Sequence, residues 1–369
     1  MLSYTSAVTI ALDATPLIVT GGVRRYTLEL VRALATEFPH DQYWLLTDQM
    51  LPKPLVVTGN LHYGEGPSTW GQRKWWTWGL EREMSRRGVE LFHGTDFSVP
   101  YLRRRPSVLT LHDLSPWIHA DWASQQSESR PGDSRRVRRR TPLLLRWGLA
   151  TMVITPSEAV RRAAIERFRL NPDRVVSVPL AAAECFRLVA TTPTRPYFLF
   201  LGTLEPRKNV ARLLEAWREV RKQHDVDLLL AGRVRPDFPA PATEPGLRLL
   251  GEIPESDLPG LYSGAVACVY PSLYEGFGLP VLEAMQCGAV VITSRDPAIQ
   301  EVAADAAIHV DAEDTKALAE AMAAVVSSPE NFAGLREKAL RRSRDFTWQS
   351  TARRTREVYD SARRVFGAC

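Results

Sequence analysis

The stretch Tyr270–Gly288 reads YPSLYEGFGLPVLEAMQCG. The apolar run just before it, Ala265–Tyr270, has the length and composition of a buried strand. Gly276, Phe277 and Gly278 then make a turn, and Pro280 stands where a helix opens, a position at which its missing amide hydrogen costs nothing. A strand, a glycine turn and a helix in succession leave the first helical amides pointing beyond the strand end, where they and the helix dipole favour an anion. Two carboxylates, Glu275 and Glu283, bracket the turn and suit hydroxyl groups beside that anion. Phosphate and several hydroxyls together describe a sugar nucleotide.

Each feature alone has a plain structural reading. Glu283 near a helix start gains roughly 0.3–1 kcal/mol from the dipole without any ligand, and the glycines serve a tight turn. The whole string is more specific. Glu275 and Glu283, with seven residues between them that include GFGLPVL, resemble the E-x7-E signature of retaining GT-B glycosyltransferases of group 1, family 4. The similarity runs on through Ala284, Met285 and Gly288 to Thr293, Ser294 and Glu301.

Upstream of this stretch, Tyr197–Gly202 (YFLFLG) reads as a strand, Thr203–Asn209 (TLEPRKN) as a polar turn and Val210–Gln223 as a helix. Arg207 and Lys208 therefore arrive where a strand gives way to a helix, and two cations plus helix amides can neutralise a diphosphate. An exposed surface pair is the plainer reading. GTLEPRKN resembles the basic donor-phosphate motif of the same family, with one departure: Thr203 occupies a position where many members carry arginine. A strand at Asp227–Ala231 follows, and the loops at Gly232 and at Gly251–Pro254 end further strands. Downstream come a strand at Val290–Thr293 and helices over Asp314–Ser327, Pro329–Arg344 and Gln349–Phe366.

The first half shows the same alternation. Val8–Asp13 is a short strand, Gly21-Gly22 a glycine pair, and Val23–Phe38 a helix with Tyr26, Leu30, Val31 and Leu34 at helical spacing. Further strands are predicted at Tyr43–Thr47, Leu55–Thr58, Glu90–His93, Val108–Leu111, Met152–Thr155 and Val175–Val178. A tryptophan-bearing helix is predicted over Trp70–Arg87; its Trp75, Trp76 and Trp78 read first as a partly exposed core stripe and second as a sugar platform. Ser157 is a helix N-cap for the segment to Phe168. His93 and His112 each end a strand, where a hydrogen-bonded structural role is the commoner one. Strands alternating with helices point to parallel sheets covered on both faces, which bind ligands beyond the carboxyl ends of their strands.

The chain has 369 residues, 45% hydrophobic and 24% charged, which suits a two-domain globular enzyme. No apolar run is long enough to cross a bilayer. The opening MLSYTSAVTIALD has no basic lead, so no secretory signal is expected. Cys185, Cys268, Cys287 and Cys369 lack metal-ligand spacing; Cys268 and Cys287 read as buried thiols, and the cytosol is the expected compartment. The net charge of +5 is concentrated: Arg103–Arg146 holds ten arginines against four acidic residues. Its centre, Arg130–Arg140 (RPGDSRRVRRR), is expected to be a mobile solvated loop or, second, a contact to a membrane surface or anionic acceptor. Without interleaved aromatics or a companion motif, it is not expected to bind nucleic acid.

The resemblance implies an α/β protein of GT-B type, two Rossmann-like domains facing across a cleft. Residues 1–190 would be the acceptor-binding domain, 191–346 the nucleotide-sugar domain, and 347–369 a last helix crossing back to the first. It implies a metal-independent retaining hexosyltransferase whose donor is a nucleotide sugar, GDP-mannose favoured over UDP- or dTDP-sugars, with no other cofactor. Arg207, Lys208 and the amides of Gly22 and of the Gly278 turn would neutralise the leaving diphosphate. Glu275 would hold sugar hydroxyls, Glu283 the ribose, and His112 would orient substrate, with Asp113 and His93 behind it. Thr203, Ile253, Gly276, Phe277 and Leu279 would complete the donor lining. The acceptor would be a glycan or a polyprenyl-linked oligosaccharide in cell-surface polysaccharide assembly, met at the inner face of the plasma membrane through the Arg130–Arg140 region. A sugar-nucleotide epimerase of GT-B type and a non-catalytic sugar-nucleotide-binding subunit are the alternatives. The first should carry more acid/base residues, and the second should have lost a glutamate or a phosphate cation.

Overall fold

The computed structural model describes residues 7–18, 21–51, 58–66, 74–119, 122 and 133–368. The strands are β1 (Thr9–Asp13), β2 (Gln42–Leu46), β3 (Leu61–Tyr63), β4 (Leu91–Gly94), β5 (Ser107–Thr110), β6 (Met152–Thr155) and β7 (Val175–Ser177). They continue with β8 (Tyr197–Leu201), β9 (Asp227–Ala231), β10 (Leu247–Gly251), β11 (Ala267–Tyr270), β12 (Val291–Ser294) and β13 (Ile308–Val310). The first helices are α1 (Gly22–Glu37), α2 (Leu80–Arg86), α3 (Ser115–Ile118), α4 (Asp133–Arg146), α5 (Glu158–Phe168) and α6 (Val210–Arg221). The rest are α7 (Leu258–Gly264), α8 (Leu279–Gln286), α9 (Pro297–Ala303), α10 (Thr315–Ser327), α11 (Ala333–Ser343) and α12 (Trp348–Gly367).

The chain divides into two compact units. The first comprises Met1–Leu114, Gly132–Leu180 and Trp348–Cys369. Its seven strands form one parallel sheet in the order β3-β2-β1-β4-β5-β6-β7. The second comprises Ser115–Pro131 and Ala181–Thr347, with a six-stranded parallel sheet in the order β10-β9-β8-β11-β12-β13. Both are doubly wound sheets. The winding reverses between β1 and β4 in one and between β8 and β11 in the other, and such switch points open the crevice where ligands sit. The central strands are buried on both faces, which is why they read as continuous apolar runs rather than alternating ones.

In the first unit α1 buries Tyr26, Leu30, Val31 and Leu34, the stripe its spacing marks out, and α12 packs along it. A buried polar chain ties α12 to the sheet: His93 Nδ1 meets Tyr359 Oη at 2.7 Å and Nε2 meets Thr110 Oγ1 at 2.7 Å, while Tyr26 Oη bonds the same threonine at 2.9 Å. Arg356, fully buried on α12, pairs with Asp41 Oδ2 at 2.6 Å and with Asp360. A charge taken that far from water persists only with partners of this kind. Ser157 caps α5, its Oγ accepting from Val160 N at 3.2 Å.

One expectation is corrected here, and two others fall only partly on the described residues. From Asp133 onward the arginine-rich run is helix α4, not a loop. Arginine is a good helix former, and burial of Thr141, Leu144 and Leu145 fixes one face. Arg140 lies over the Trp76 and Tyr101 rings and donates to Ser98 Oγ at 2.6 Å. Of the strand expected at Leu55–Thr58, all but the last residue lies outside the described residues; the sheet ends on that side at β3, Leu61–Tyr63. The tryptophan segment is helical where it is described. Residues 70–73 lie outside the described residues, and Trp75–Gly79 form a π-helical turn that leads into α2. Trp75 is buried with Leu80, Met84 and Phe92, and Trp78 is exposed, so this is the partly exposed core stripe. Cys268 and Cys287 are buried free thiols.

Candidate active site

The second unit gathers its polar side chains at the carboxyl ends of β8 and β11, on either side of the switch point. After β8, Glu205 leads into a single 3-10 turn, Pro206–Lys208, and Asn209 takes a left-handed conformation (φ 57°) to start α6. Asn209 Nδ2 donates to the carbonyls of Pro271 (3.1 Å) and Ala312 (2.7 Å), pinning this turn to the loops after β11 and β13. The Leu273 amide donates to the Arg207 carbonyl at 2.8 Å.

These constraints bring Arg207, Lys208 and Glu275 together. Arg207 Nη1 donates to Glu275 Oε2 at 2.9 Å and to the Tyr274 carbonyl at 3.2 Å, while its Nε lies 2.7 Å from Glu205 Oε1. Lys208 Nζ donates to Glu275 Oε1, and Ser272 Oγ donates to the same oxygen at 2.8 Å. Burial by itself would raise the Glu275 carboxyl. Lys208 and Arg207, with the hydrogen bonds to Lys208 and Ser272, outweigh it and hold the group at about 2. Glu275 is thus an ionised carboxylate with two donors on Oε1 and one on Oε2, which leaves Oε2 able to accept again. Its amide donates to Asp296 Oδ2 at 3.2 Å, and Asp296 Oδ1 caps α9 through the amides of Ala298 and Ile299. Burial raises Asp296 to about 6, and the neighbouring Glu275 adds to the rise against those amides.

Gly278 (φ 99°) precedes α8 in the left-handed region, which glycine alone enters freely, and brings no side chain to cap the helix. Pro280 stands second in the helix. Gly276 and Phe277 are buried, and the Phe277 ring packs edge-on against Phe346 at 5.9 Å. Leu279 is half-buried, as are Thr203 after β8 and Ile253 after β10. Glu283, four residues into α8, is fully buried and its Oε2 accepts from Tyr262 Oη at 2.9 Å.

In the first unit the backbone demand after β1 falls on Gly21 (φ 112°), with Gly22 the first residue of α1 and exposed. His112 is half-buried after β5. Its Nε2 lies 2.7 Å from the Thr95 carbonyl, which can only accept, so Nε2 carries the proton. Burial lowers its pKa despite that hydrogen bond and Asp113, leaving a neutral ring with Nδ1 as acceptor. His93 is different: fully buried, both nitrogens engaged, and pushed down to about 3 by burial. Its place is in the packing of α12.

Sequence reasoning passed over several members of these clusters. Glu205 lies inside the quoted GTLEPRKN yet reads as a turn residue. Ser272 lies inside the Tyr270–Gly288 stretch without being singled out, and Asp296 belongs to no motif. Asp13 at the end of β1 is a buried carboxyl raised by burial to about 6, its Oδ1 accepting from Thr15 N at 3.0 Å. A charged residue at the end of an apolar strand run was the available signal for it. Among the described residues no group of three or more His, Cys, Asp or Glu side chains converges as a metal ligand set.

Comparison with known proteins gives the family and the fold. The Glycosyltransferase Family 4 profile matches residues 20–182, and the Glycosyl transferases group 1 profile matches residues 187–342. The O-antigen chain mannosyltransferase B of Escherichia coli is 30% identical over 291 residues, covering 73% of this chain and 74% of that protein. The chain belongs to the group 1 glycosyltransferases. Its fold is the two-domain, Rossmann-like GT-B fold. Sucrose-phosphate synthase from Thermosynechococcus elongatus superimposes with a TM-score of 0.72 at 21% identity, covering 98% of this chain and all of that one. The Anabaena protein HepE, in complex with UDP-glucose, does so with a TM-score of 0.70 at 16% identity, over 96% of this chain and all of that one.

Proposed function

We propose that this glycosyltransferase moves a hexosyl group from a nucleotide sugar, GDP-mannose first and a UDP- or dTDP-sugar second, to a hydroxyl of a glycan or polyprenyl-linked acceptor in cell-surface polysaccharide assembly, with retention and without a metal. The observation that carries this reading is the buried clasp of Arg207, Lys208 and Ser272 on Glu275 at the β8/β11 switch point. The mannosyltransferase similar to this chain supports the sugar, and the UDP-glucose held by HepE supports the donor class.

Arg207 and Lys208 are held in place by protein partners, Glu205 and Glu275. A guanidinium has five N–H donors and an ammonium three, so both can serve Glu275 and a phosphate oxygen together. They stabilise the charge that develops on the departing diphosphate, joined by the first amides of α8, which no side chain caps. Glu275 fixes the sugar hydroxyls. A carboxylate held at about 2 by three donors is a poor nucleophile, which favours attack on the departing face: the acceptor oxygen bonds to the anomeric carbon as the carbon–phosphate-oxygen bond breaks, and the acceptor proton goes to the departing phosphate. His112 Nδ1 accepts from a substrate hydroxyl. Glu283, on the buried side of α8 with Tyr262, holds the ribose. The retained glutamates and cations favour catalysis over the silent binding subunit.

Thermal shift against GDP, UDP, dTDP and ADP tests the donor. A nucleotide at 100-fold excess over its Kd raises native stability by about 2.7 kcal/mol. One nucleotide is expected to raise Tm strongly, with the gain reduced in Glu283→Gln; a flat response to all four at millimolar concentration sinks the reading.

The membrane contact rests on α4. Arg139, Leu143, Arg146 and Trp147 lie within one arc of this helix and its last turn, and all are exposed; Leu143 is 43% and Trp147 65% accessible. Apolar side chains flanked by cations suit an anionic bilayer surface. Flotation with phosphatidylcholine vesicles containing about 30% phosphatidylglycerol should retain the protein, and Trp147→Ala with Arg146→Glu should release it. Equal recovery with pure phosphatidylcholine, or no effect of the variants, rules this face out.

A further inference from the structure

A buried carboxylate next to two cations that are to receive a diphosphate needs a reason to be there. Glu205 is such a group: 9% exposed, within the turn after β8, its Oε1 2.7 Å from Arg207 Nε. By charge alone it weakens any anion site beside it. Its other oxygen faces a second guanidinium, Arg235 Nη1, at 3.7 Å. Arg235 comes from the loop after β9 and is only 6% exposed. Its Nε pairs with Asp237, its Nη1 donates to the Trp122 carbonyl at 3.1 Å, and its amide donates to the Leu204 carbonyl at 3.1 Å.

The two loops are joined by backbone. Leu204 bridges Val234 in parallel, and the Leu204 amide donates to the Arg233 carbonyl at 2.9 Å. The approach needs glycine at 232, where a Cβ would stand 2.2 Å from the Gly202 carbonyl oxygen. Arg235, Glu205, Arg207 and Glu275 thus form one line of alternating charge along the carboxyl edge of the sheet, each held by the next. A free arginine carries a large rotamer entropy, and binding that must order it loses affinity. In this line the ordering is done in advance.

We propose that Glu205 is a positioning residue for donor binding: it holds the Arg207 guanidinium in place for the diphosphate, and Arg235 holds Glu205. The inference rests on the donor reading above and deepens it. The sign of one substitution separates it from a charge effect. If Glu205 acted only through its charge, Glu205→Gln would tighten nucleoside diphosphate binding; as a positioning residue, its loss weakens it.

The experiment is calorimetric titration of wild type with GDP, UDP, dTDP and ADP, then of Glu205→Gln, Arg207→Met and the double variant with the nucleotide that binds. Glu205→Gln is expected to weaken binding about tenfold, the size of one charge-assisted hydrogen bond. In the Arg207→Met background the same change is expected to have no effect, because the group it positions is gone. Unfolding without nucleotide checks that each variant is folded. Should Glu205→Gln fail to fold, Arg235→Gln replaces it, with a few-fold weakening, again absent in the Arg207→Met background. Equal or tighter binding by the folded variant, or a full additive loss in the double variant, overturns the inference. A wild type that binds none of the four nucleotides overturns the donor reading itself and this inference with it.

Discussion

Glu275→Gln is expected to lower the transfer rate by about 10²–10³-fold and to change the acid limb of the stability curve. The substitution keeps the shape of the side chain and removes its charge. Lys208 is then left buried, and Arg207 half-buried, beside a neutral amide, and breaking a buried pair from one side costs on the order of 3 kcal/mol. Arg207 retains Glu205, so Lys208 bears most of the loss. The pH dependence follows from the sign of the shift. Glu275 sits at about 2 in the folded chain, below its ordinary value, so its stabilisation is complete above about pH 4.5 and disappears as pH falls toward 2. Unfolding by urea between pH 2 and 7 should show a steep acid loss in wild type and a shallower one in Glu275→Gln. Asp296 runs the other way: raised to about 6, it makes stability fall as pH rises from about 4 to 6. An acid limb identical in the two proteins would show that the Glu275 clasp does not form in solution.

Arg207→Met and Lys208→Met are each expected to reduce transfer by about 10²–10³-fold, with donor binding weakened as well. The double variant should be little worse than the weaker single one, because the two cations act on one diphosphate through one shared carboxylate. Wild-type activity is expected to persist in EDTA, the cations supplying the charge that a metal would otherwise bring. Initial rates with each nucleotide sugar, with and without chelator, measure both. Full multiplicative loss in the double variant would mean that the cations serve separate ligands, and loss of wild-type activity in EDTA would end the metal-independent reading.

The site was unevenly legible. Arg207, Lys208, Glu275 and Glu283 lie in compact strings where strand, turn and helix succeed one another, so their residue types and spacing carry the signal. Glu205 lay within such a string and was missed, because nothing local distinguishes a turn glutamate from one that braces an arginine. Arg235 is 30 residues from Glu205 in sequence, and the two meet only because β8 and β9 are neighbours. His93 and His112 look alike as strand-end histidines. Only their partners separate them: a tyrosine and a threonine saturate one, and a single carbonyl leaves the other an acceptor. Arginine-rich α4 read as a loop because charge dominates its composition, while the buried Thr141, Leu144 and Leu145 that hold it form a narrow stripe.

By itself, the sequence determined the local units of this protein: apolar runs that become doubly buried strands, the Ser157 cap, the left-handed glycine before α8, and the charged turns that follow β8 and β11. These depend on contacts within a few residues, where steric and hydrogen-bonding rules act directly. The tertiary structure alone decided the order of strands in each sheet, and hence which loops share a switch point and which buried charges become partners. The reason is physical. Periodicity tells a chain which face to bury and carries no information about which distant segment will cover it, and an ion pair such as Arg207–Glu275 has meaning only after that choice is made.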